Sequence, residues 1–159
     1  MQFHDYCEKC IPLESRAIQK IHGKWSITEL QVSDDMDLRL VALVAAGGAI
    51  GAVARYALQQ WLPSDSLPWG TMTANLVGSL LLGILLGAVA AGVTVSDEVV
   101  LLFGTGVLGA FTTMSAFAVD SIRLAENNPS STLIMITTTI LGSITLAWLG
   151  WRFSTSIIA

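Results

Sequence analysis

The sequence predicts an all-α integral membrane protein with four transmembrane helices per subunit, and three observations carry that prediction. The chain has 159 residues, of which 53% are hydrophobic, and its mean hydropathy is +0.65. Charged residues make up only 13%, about half of the roughly 25% usual in a soluble domain. The apolar residues also gather into four runs, each near the ~20 residues that a helix needs to cross the hydrocarbon core. Pro, Asp, Asn and Ser collect between them.

Charge divides the chain into an extension, residues 1–37, and a membrane domain, residues 38–159. Residues 1–38 hold four Lys/Arg and seven Asp/Glu, a net of −3, and the remainder holds four Arg and five acids, a net of −1; together these give the −4 of the whole chain. The acidity therefore belongs to the extension, and no basic stripe is present to bind nucleic acid. The start MQFHDYCEKC lacks the basic and apolar regions of a cleavable signal peptide. The extension reads as cytosolic or interfacial and partly disordered. Leu13, Ala17, Ile18, Ile21 and Trp25 recur at helical spacing with Lys20 and Lys24 opposite, the pattern of a short helix lying at the membrane surface. Cys7 and Cys10 form a C-x-x-C beside His4, with His22 further on. A structural zinc site takes four ligands. Half a zinc site, a redox pair and two ordinary thiols are the available readings, and the last asks for least.

Span one runs over residues 38–61. Asp34, Asp35 and Asp37 precede it, where acids favour the positive end of the helix dipole. Its one interior charge is Arg55, and Pro63, Ser64, Asp65 and Pro68 form the turn after it. Span two, residues 69–93, lies in a stretch without charge from Asp65 to Asp97. Span three covers residues 98–122. RLAENNPSS is the next loop, with Asn-Asn-Pro as the stop signal. Span four covers residues 131–153. Trp61, Trp69, Trp148 and Trp151 fall near span ends, as interfacial aromatics do. An even number of spans puts both termini on one side. Lys24, Arg39 and Arg152 then oppose Arg123 and Arg55, a bias small enough to allow either orientation. Each span is rich in glycine, which lets helices approach closely in lipid. Four short helices enclose little volume, so the sequence points to an oligomer.

Polar residues at bilayer depth are costly and usually functional. Arg55, in GGAIGAVARY, either snorkels to the interface or adds positive potential to an anion vestibule. Asn75, in GTMTANLVGSLLLG, either bonds a neighbouring helix or faces water, with Thr71 one turn before it on the same face. In GAFTTMSAF, Gly109 followed by Phe-Thr-Thr is a poor helix former. A break there frees backbone groups that survive in a membrane only when buried in protein, lining a cavity or binding an ion. Met114 and Phe117 share a face, for core packing or as a weak ring-edge contact to an anion. Thr137, Thr138, Thr139 and Ser143 in span four either satisfy backbone carbonyls or form a donor track; Thr139 and Ser143 are one turn apart.

Taken together, GGAIGAVARY, GTMTANLVGSLLLG and GAFTTMSAFAVD resemble, in order and on the right helices, three motifs of the Fluc/CrcB fluoride channel family. The resemblance covers residues 38 to about 153. It implies a four-helix subunit whose third helix is broken at the membrane centre, assembled as an antiparallel, dual-topology dimer in the cell membrane. It implies a structural sodium ion, not transported, held by backbone carbonyls that by motif position belong to Gly109 and Thr112. Fluoride is the implied substrate, exported passively to lower its cytoplasmic concentration. Asn75, Phe117, Met114, Ser115 and Thr113 would line or neighbour its pathway, Thr139 and Ser143 would supply a polar track from span four, and Arg55 would lie in the vestibule. The implied partners are fluoride, the lipid bilayer and a second copy or homologous subunit.

The chain departs from the family pattern at four places: Met114 stands for a phenylalanine, Ala116 for a hydroxyl residue, Asp120 for glutamate and Ala110 for a second glycine. These changes keep open a subunit that works only beside a different one. A small dual-topology multidrug exporter needs a glutamate in its first span, where this chain has Arg55. An enzyme is disfavoured, because the membrane part has no histidine, cysteine or paired carboxylate for acid–base or nucleophilic work.

Overall fold

The computed structural model describes residues 37–62 and 66–158. The expectations placed on residues 1–36, namely the surface helix, the Cys7 and Cys10 thiols and the acids Asp34 and Asp35, lie outside that range, as do Pro63, Ser64 and Asp65 of the first turn. The described residues are helical, with no strand among them. Four stretches are long and apolar enough to cross a membrane: Leu38–Trp61, Trp69–Ala90, Asp97–Asn127 and Pro129–Ile157.

Helix α1 (Leu38–Trp61) starts where the sequence places it, because the Asp37 carboxylate accepts from the Arg39 amide at 2.9 Å. That capping bond satisfies an amide with no partner inside the helix. Helix α2 (Trp69–Ala90) stops three residues before the predicted Val93. Gly92 turns left-handed, at φ 95°, and the Gly92 and Val93 amides fold back onto the Val89 and Ala88 carbonyls. This glycine stop ends the helix inside the hydrophobic run.

The third stretch is composite. Helix α3 (Asp97–Val100) leads into a π-helical segment, π1 (Leu101–Leu108), and a short α4 (Gly109–Phe111). Thr112 (φ −76°, ψ 153°) and Thr113 (φ −152°, ψ 111°) are extended, and α5 (Met114–Asn127) follows. The predicted loop RLAENNPSS shrinks to Asn128. Its amide closes α5 onto the Leu124 carbonyl at 2.7 Å, and its side chain accepts from the Ser131 amide at 3.1 Å. Pro129 opens α6 (Pro129–Ile158), a position where its missing N–H costs nothing.

Lipid gives helices no hydrophobic reason to associate, so close backbone packing matters. Helix α2 packs along α6, and α1 packs against π1 and α4. A Cβ on Gly83 would overlap the Ala147 carbonyl oxygen, and one on Gly150 would reach the Leu80 carbonyl oxygen at 2.5 Å. Ser154 adds a bond from its hydroxyl to the Ile84 carbonyl at 2.9 Å. On the other contact, Cβ atoms on Gly47 and Gly51 would overlap the carbonyl oxygens of Leu102 and Val107. Met72, Phe117 and Met135 form the buried cluster where α2, α5 and α6 meet.

Candidate functional site

The extended step at Thr112–Thr113 explains how its own backbone groups are satisfied. In a continuous helix the Thr113 amide would donate to the Gly109 carbonyl. Here it donates instead to Asn75 Oδ1 at 2.7 Å, and Asn75 Nδ2 donates to the Thr113 carbonyl at 3.1 Å. The Ala116 amide, which would serve the Thr112 carbonyl, goes to Thr113 Oγ1 at 3.1 Å and so caps α5. The carbonyls of Gly109 and Thr112 are thereby deprived of their helical donors. Thr112 also closes α4, its amide and hydroxyl both donating to the Leu108 carbonyl at 3.1 Å. Gly78 makes room for this step, since a Cβ there would overlap the Thr112 methyl group.

Beside the step lies a cavity of ≈ 280 Å³ that gathers residues from α2, the step, α5 and α6. Asn75, Thr113, Met114, Phe117, Thr139 and Ser143 line it together, joined by Thr112 and Ser79 among others. No charged side chain is among the lining residues. The hydroxyls of Thr139 and Ser143 are buried without a hydrogen-bond partner, and Thr139 is only 4% exposed. A buried hydroxyl left unpaired in apolar surroundings costs about 1–3 kcal/mol. Asn75 spends one of its two N–H groups on Thr113, which leaves the second for the cavity.

Other predicted residues are placed differently. Met114 and Phe117 both reach the cavity but in unlike settings: Phe117 is buried in the core cluster, whereas Met114 is 71% exposed. Ser115 is exposed and shares a hydrogen bond with Thr113 Oγ1 at 3.2 Å, outside the lining set. Arg55 is half-buried on α1 and Gly109 is exposed; neither lines the cavity.

Two further residues belong near the site without having been singled out from the sequence. Ser79 follows Asn75 by one turn, so the stripe Thr71, Asn75, Ser79 was readable at helical spacing. Gln59 was not readable, because its link to Thr71 Oγ1, at 3.2 Å, crosses between helices. Thr71 in turn donates to Asp120 Oδ2 at 2.7 Å.

Against known families, residues 42–151 match the family model described as CrcB-like protein, Camphor Resistance (CrcB). A relative from Agrobacterium fabrum, named fluoride-specific ion channel FluC, is 48% identical over 89 residues, covering 54% of this chain and 71% of the relative. One of the same name from Thermotoga petrophila is 40% identical over 111 residues, covering 67% and 87%. A third, fluoride-specific ion channel FluC 1 from Geobacillus kaustophilus, is 40% identical over 112 residues, covering 69% and 92%. These relatives are channels rather than enzymes. With the four apolar stretches, they mark the chain as a multi-pass membrane protein.

Proposed function

This chain belongs to the CrcB-like family of fluoride-specific ion channels, and from that premise we propose that it exports fluoride passively across the plasma membrane, the usual place for the family, and so lowers the cytoplasmic concentration. The observation that carries the reading is the cavity with two buried, unpartnered hydroxyls, Thr139 and Ser143, facing the same space as the Asn75 amide and the Phe117 ring.

Fluoride is small and firmly hydrated, so a pathway must replace its water with close donors. Hydroxyl, amide and ring-edge hydrogens are such donors, and none carries a fixed charge that would trap the ion. Conduction needs binding strong enough to admit the ion and weak enough to release it. A narrow path past Phe117 excludes the larger chloride ion. Thr113 and Ser115 stand beside this path, and Arg55 adds positive potential at its vestibule.

The working unit of this reading is an antiparallel dimer of two copies, with the step at Thr112–Thr113 as the break at the membrane centre. The family's sodium ion fits this chain's backbone: the carbonyls of Gly109 and Thr112 lose their helical donors to Asn75 and to the Thr113 hydroxyl. Those carbonyls would hold the ion, which supplies a fixed positive charge that joins the subunits. A second reading, an obligate heterodimer, comes from the residue type: Met114 stands in place of a phenylalanine and has no ring edge to offer. It lies 71% exposed at the cavity, where either an identical or a different subunit would complete the lining.

Purified chain in liposomes, read with a fluoride electrode and with chloride as control, tests both. Fast fluoride-selective efflux is expected. Well-folded chain that passes fluoride only after co-expression with a homologous subunit would establish the heterodimer, and chloride flux equal to fluoride flux would overturn the selectivity.

A further inference from the structure

Three helices meet beside the site around a second, smaller cavity of ≈ 240 Å³, lined by Gln59, Leu62, Pro68, Gly70, Thr71 and Asp120. Its polar groups form a one-way chain. Gln59 Nε2 donates to Thr71 Oγ1 at 3.2 Å, and Thr71 Oγ1 donates to Asp120 Oδ2 at 2.7 Å. A hydroxyl has one hydrogen, and the bond from Gln59 occupies a lone pair on Thr71. The Thr71 hydrogen is thereby committed to the carboxylate. Thr71 is 3% exposed, so this geometry is held inside the helix packing. Gln59 is held as well: a Cβ on Gly70 would come within 2.7 Å of the Gln59 Cα, so only glycine at 70 lets α1 and α2 close to this distance.

The chain lies in register with the larger cavity. Thr71 precedes Asn75 by one turn on α2, and Asp120 follows Phe117 by about one turn on α5, so both stripes run from one cavity to the other. Phe117, which lines the larger cavity, packs with Met72, the neighbour of Thr71, in the buried cluster. A carboxylate at this point repels an anion that passes it.

We propose that Gln59 is a positioning residue for anion passage: by donating to Thr71 it holds the Asp120 carboxylate against the Thr71 hydroxyl and out of the anion's path. The proposal rests on the channel reading above. Nothing in the three sequence motifs marks Gln59; the crossing hydrogen bond does.

The test combines transport with a spectroscopic readout of Asp120 itself. The infrared carboxylate band of Asp120 is assigned by its loss in Asp120→Asn. Gln59→Met keeps the length of the side chain and removes the donor. It is expected to shift that band and to lower fluoride efflux about 2- to 10-fold, the worth of one neutral hydrogen bond. Gln59→Glu gives the Thr71 hydrogen a competing acceptor, and a larger fall is expected. In the Asp120→Asn background, Gln59→Met should change efflux no further, whereas a packing role would produce the same loss in both backgrounds. An unshifted Asp120 band in Gln59→Met, or efflux equal to that of the parent chain, would overturn the proposal. A parent chain that passes no fluoride under any condition speaks against the channel reading instead, and the infrared band then decides the relay by itself.

Discussion

Replacing Asn75 tests two duties of this side chain: bracing the backbone of Thr113 and, on the channel reading, lining the anion pathway. Asn75 makes two hydrogen bonds to the backbone of Thr113, at 2.7 and 3.1 Å, and Thr113 is 5% exposed. Leucine is close in size but offers neither a donor nor an acceptor. Both the amide and the carbonyl of Thr113 lose their partners, and no bulk water lies at bilayer depth to take them over. Each buried orphan costs about 1–3 kcal/mol, so the expected loss is about 2–6 kcal/mol, a large share of the roughly 5–15 kcal/mol that keeps a protein folded. Asn75→Asp is a different perturbation. Its carboxylate can still accept from the Thr113 amide, but the oxygen in place of Nδ2 faces the Thr113 carbonyl, acceptor against acceptor. On the channel reading it also adds like charge to the pathway. At about 4 Å and an effective dielectric of about 20 that repulsion is about 4 kcal/mol, or about a thousandfold in rate.

Thermal unfolding followed by tryptophan fluorescence in detergent reads the first duty, and fluoride efflux from liposomes reads the second. Asn75→Leu should unfold well below the parent chain and lose efflux, and Asn75→Asp should abolish efflux. A parent-like midpoint for Asn75→Leu would refute the claim that Asn75 holds the extended step. Parent-like efflux for Asn75→Asp would remove Asn75 from the anion pathway.

Three further outcomes are expected. On the channel reading, Phe117→Ile should cripple fluoride efflux while leaving the particle mass in detergent, read by light scattering, equal to that of the parent chain; normal efflux would show that the ring edge is dispensable. Thr139→Val with Ser143→Ala removes two hydroxyls that lack partners, so it should leave the thermal midpoint unchanged or raise it while lowering efflux; a fall in both would mean the hydroxyls serve packing. The neighbours Gly47 and Gly48 should part company on substitution by alanine. Gly47→Ala overlaps the Leu102 carbonyl and should cost about 1–3 kcal/mol, whereas Gly48 has nothing within 4 Å and Gly48→Ala should be neutral or gain up to about 1 kcal/mol; equal midpoints would count against the α1–π1 contact.

Hydropathy located all four stretches, because a run of apolar residues is a property of the chain alone. Boundaries were legible only where a local signal closes the helix: Asp37 starts α1 on schedule, while the Gly92 stop cut α2 short and Asn128 shrank a nine-residue loop to one residue. The turn residues were recognised as such, but their reach was not, since a cap acts through one side chain and hydropathy averages over many. The π-helical width of π1 had no visible signal; it is met by Gly47 and Gly51, which the sequence showed only as generally small.

The candidate site divides along the same line. Asn75 carried two readings in the sequence, bonding a neighbouring helix or facing water; the structure shows the bond, to the backbone of Thr113, and a carboxamide has enough donors to make it and still line the cavity. That choice cannot be read from a sequence in which the two residues are 38 positions apart. The same holds for Gln59, whose partners reach it only after α1 and α2 have closed at Gly70. What the sequence could show was the cost. Thr112, Thr113, Thr139 and Ser143 are expensive residues to bury in a membrane, and a fold optimised for packing alone would have replaced them or paired them all. The fold does pair the backbone at Thr113, with good geometry, yet leaves Thr139 and Ser143 unpaired in the same cavity. Helices that satisfy an amide and a carbonyl at this depth leave these two hydroxyls without a partner within the chain, and on the channel reading proposed above they are the donors offered to an anion.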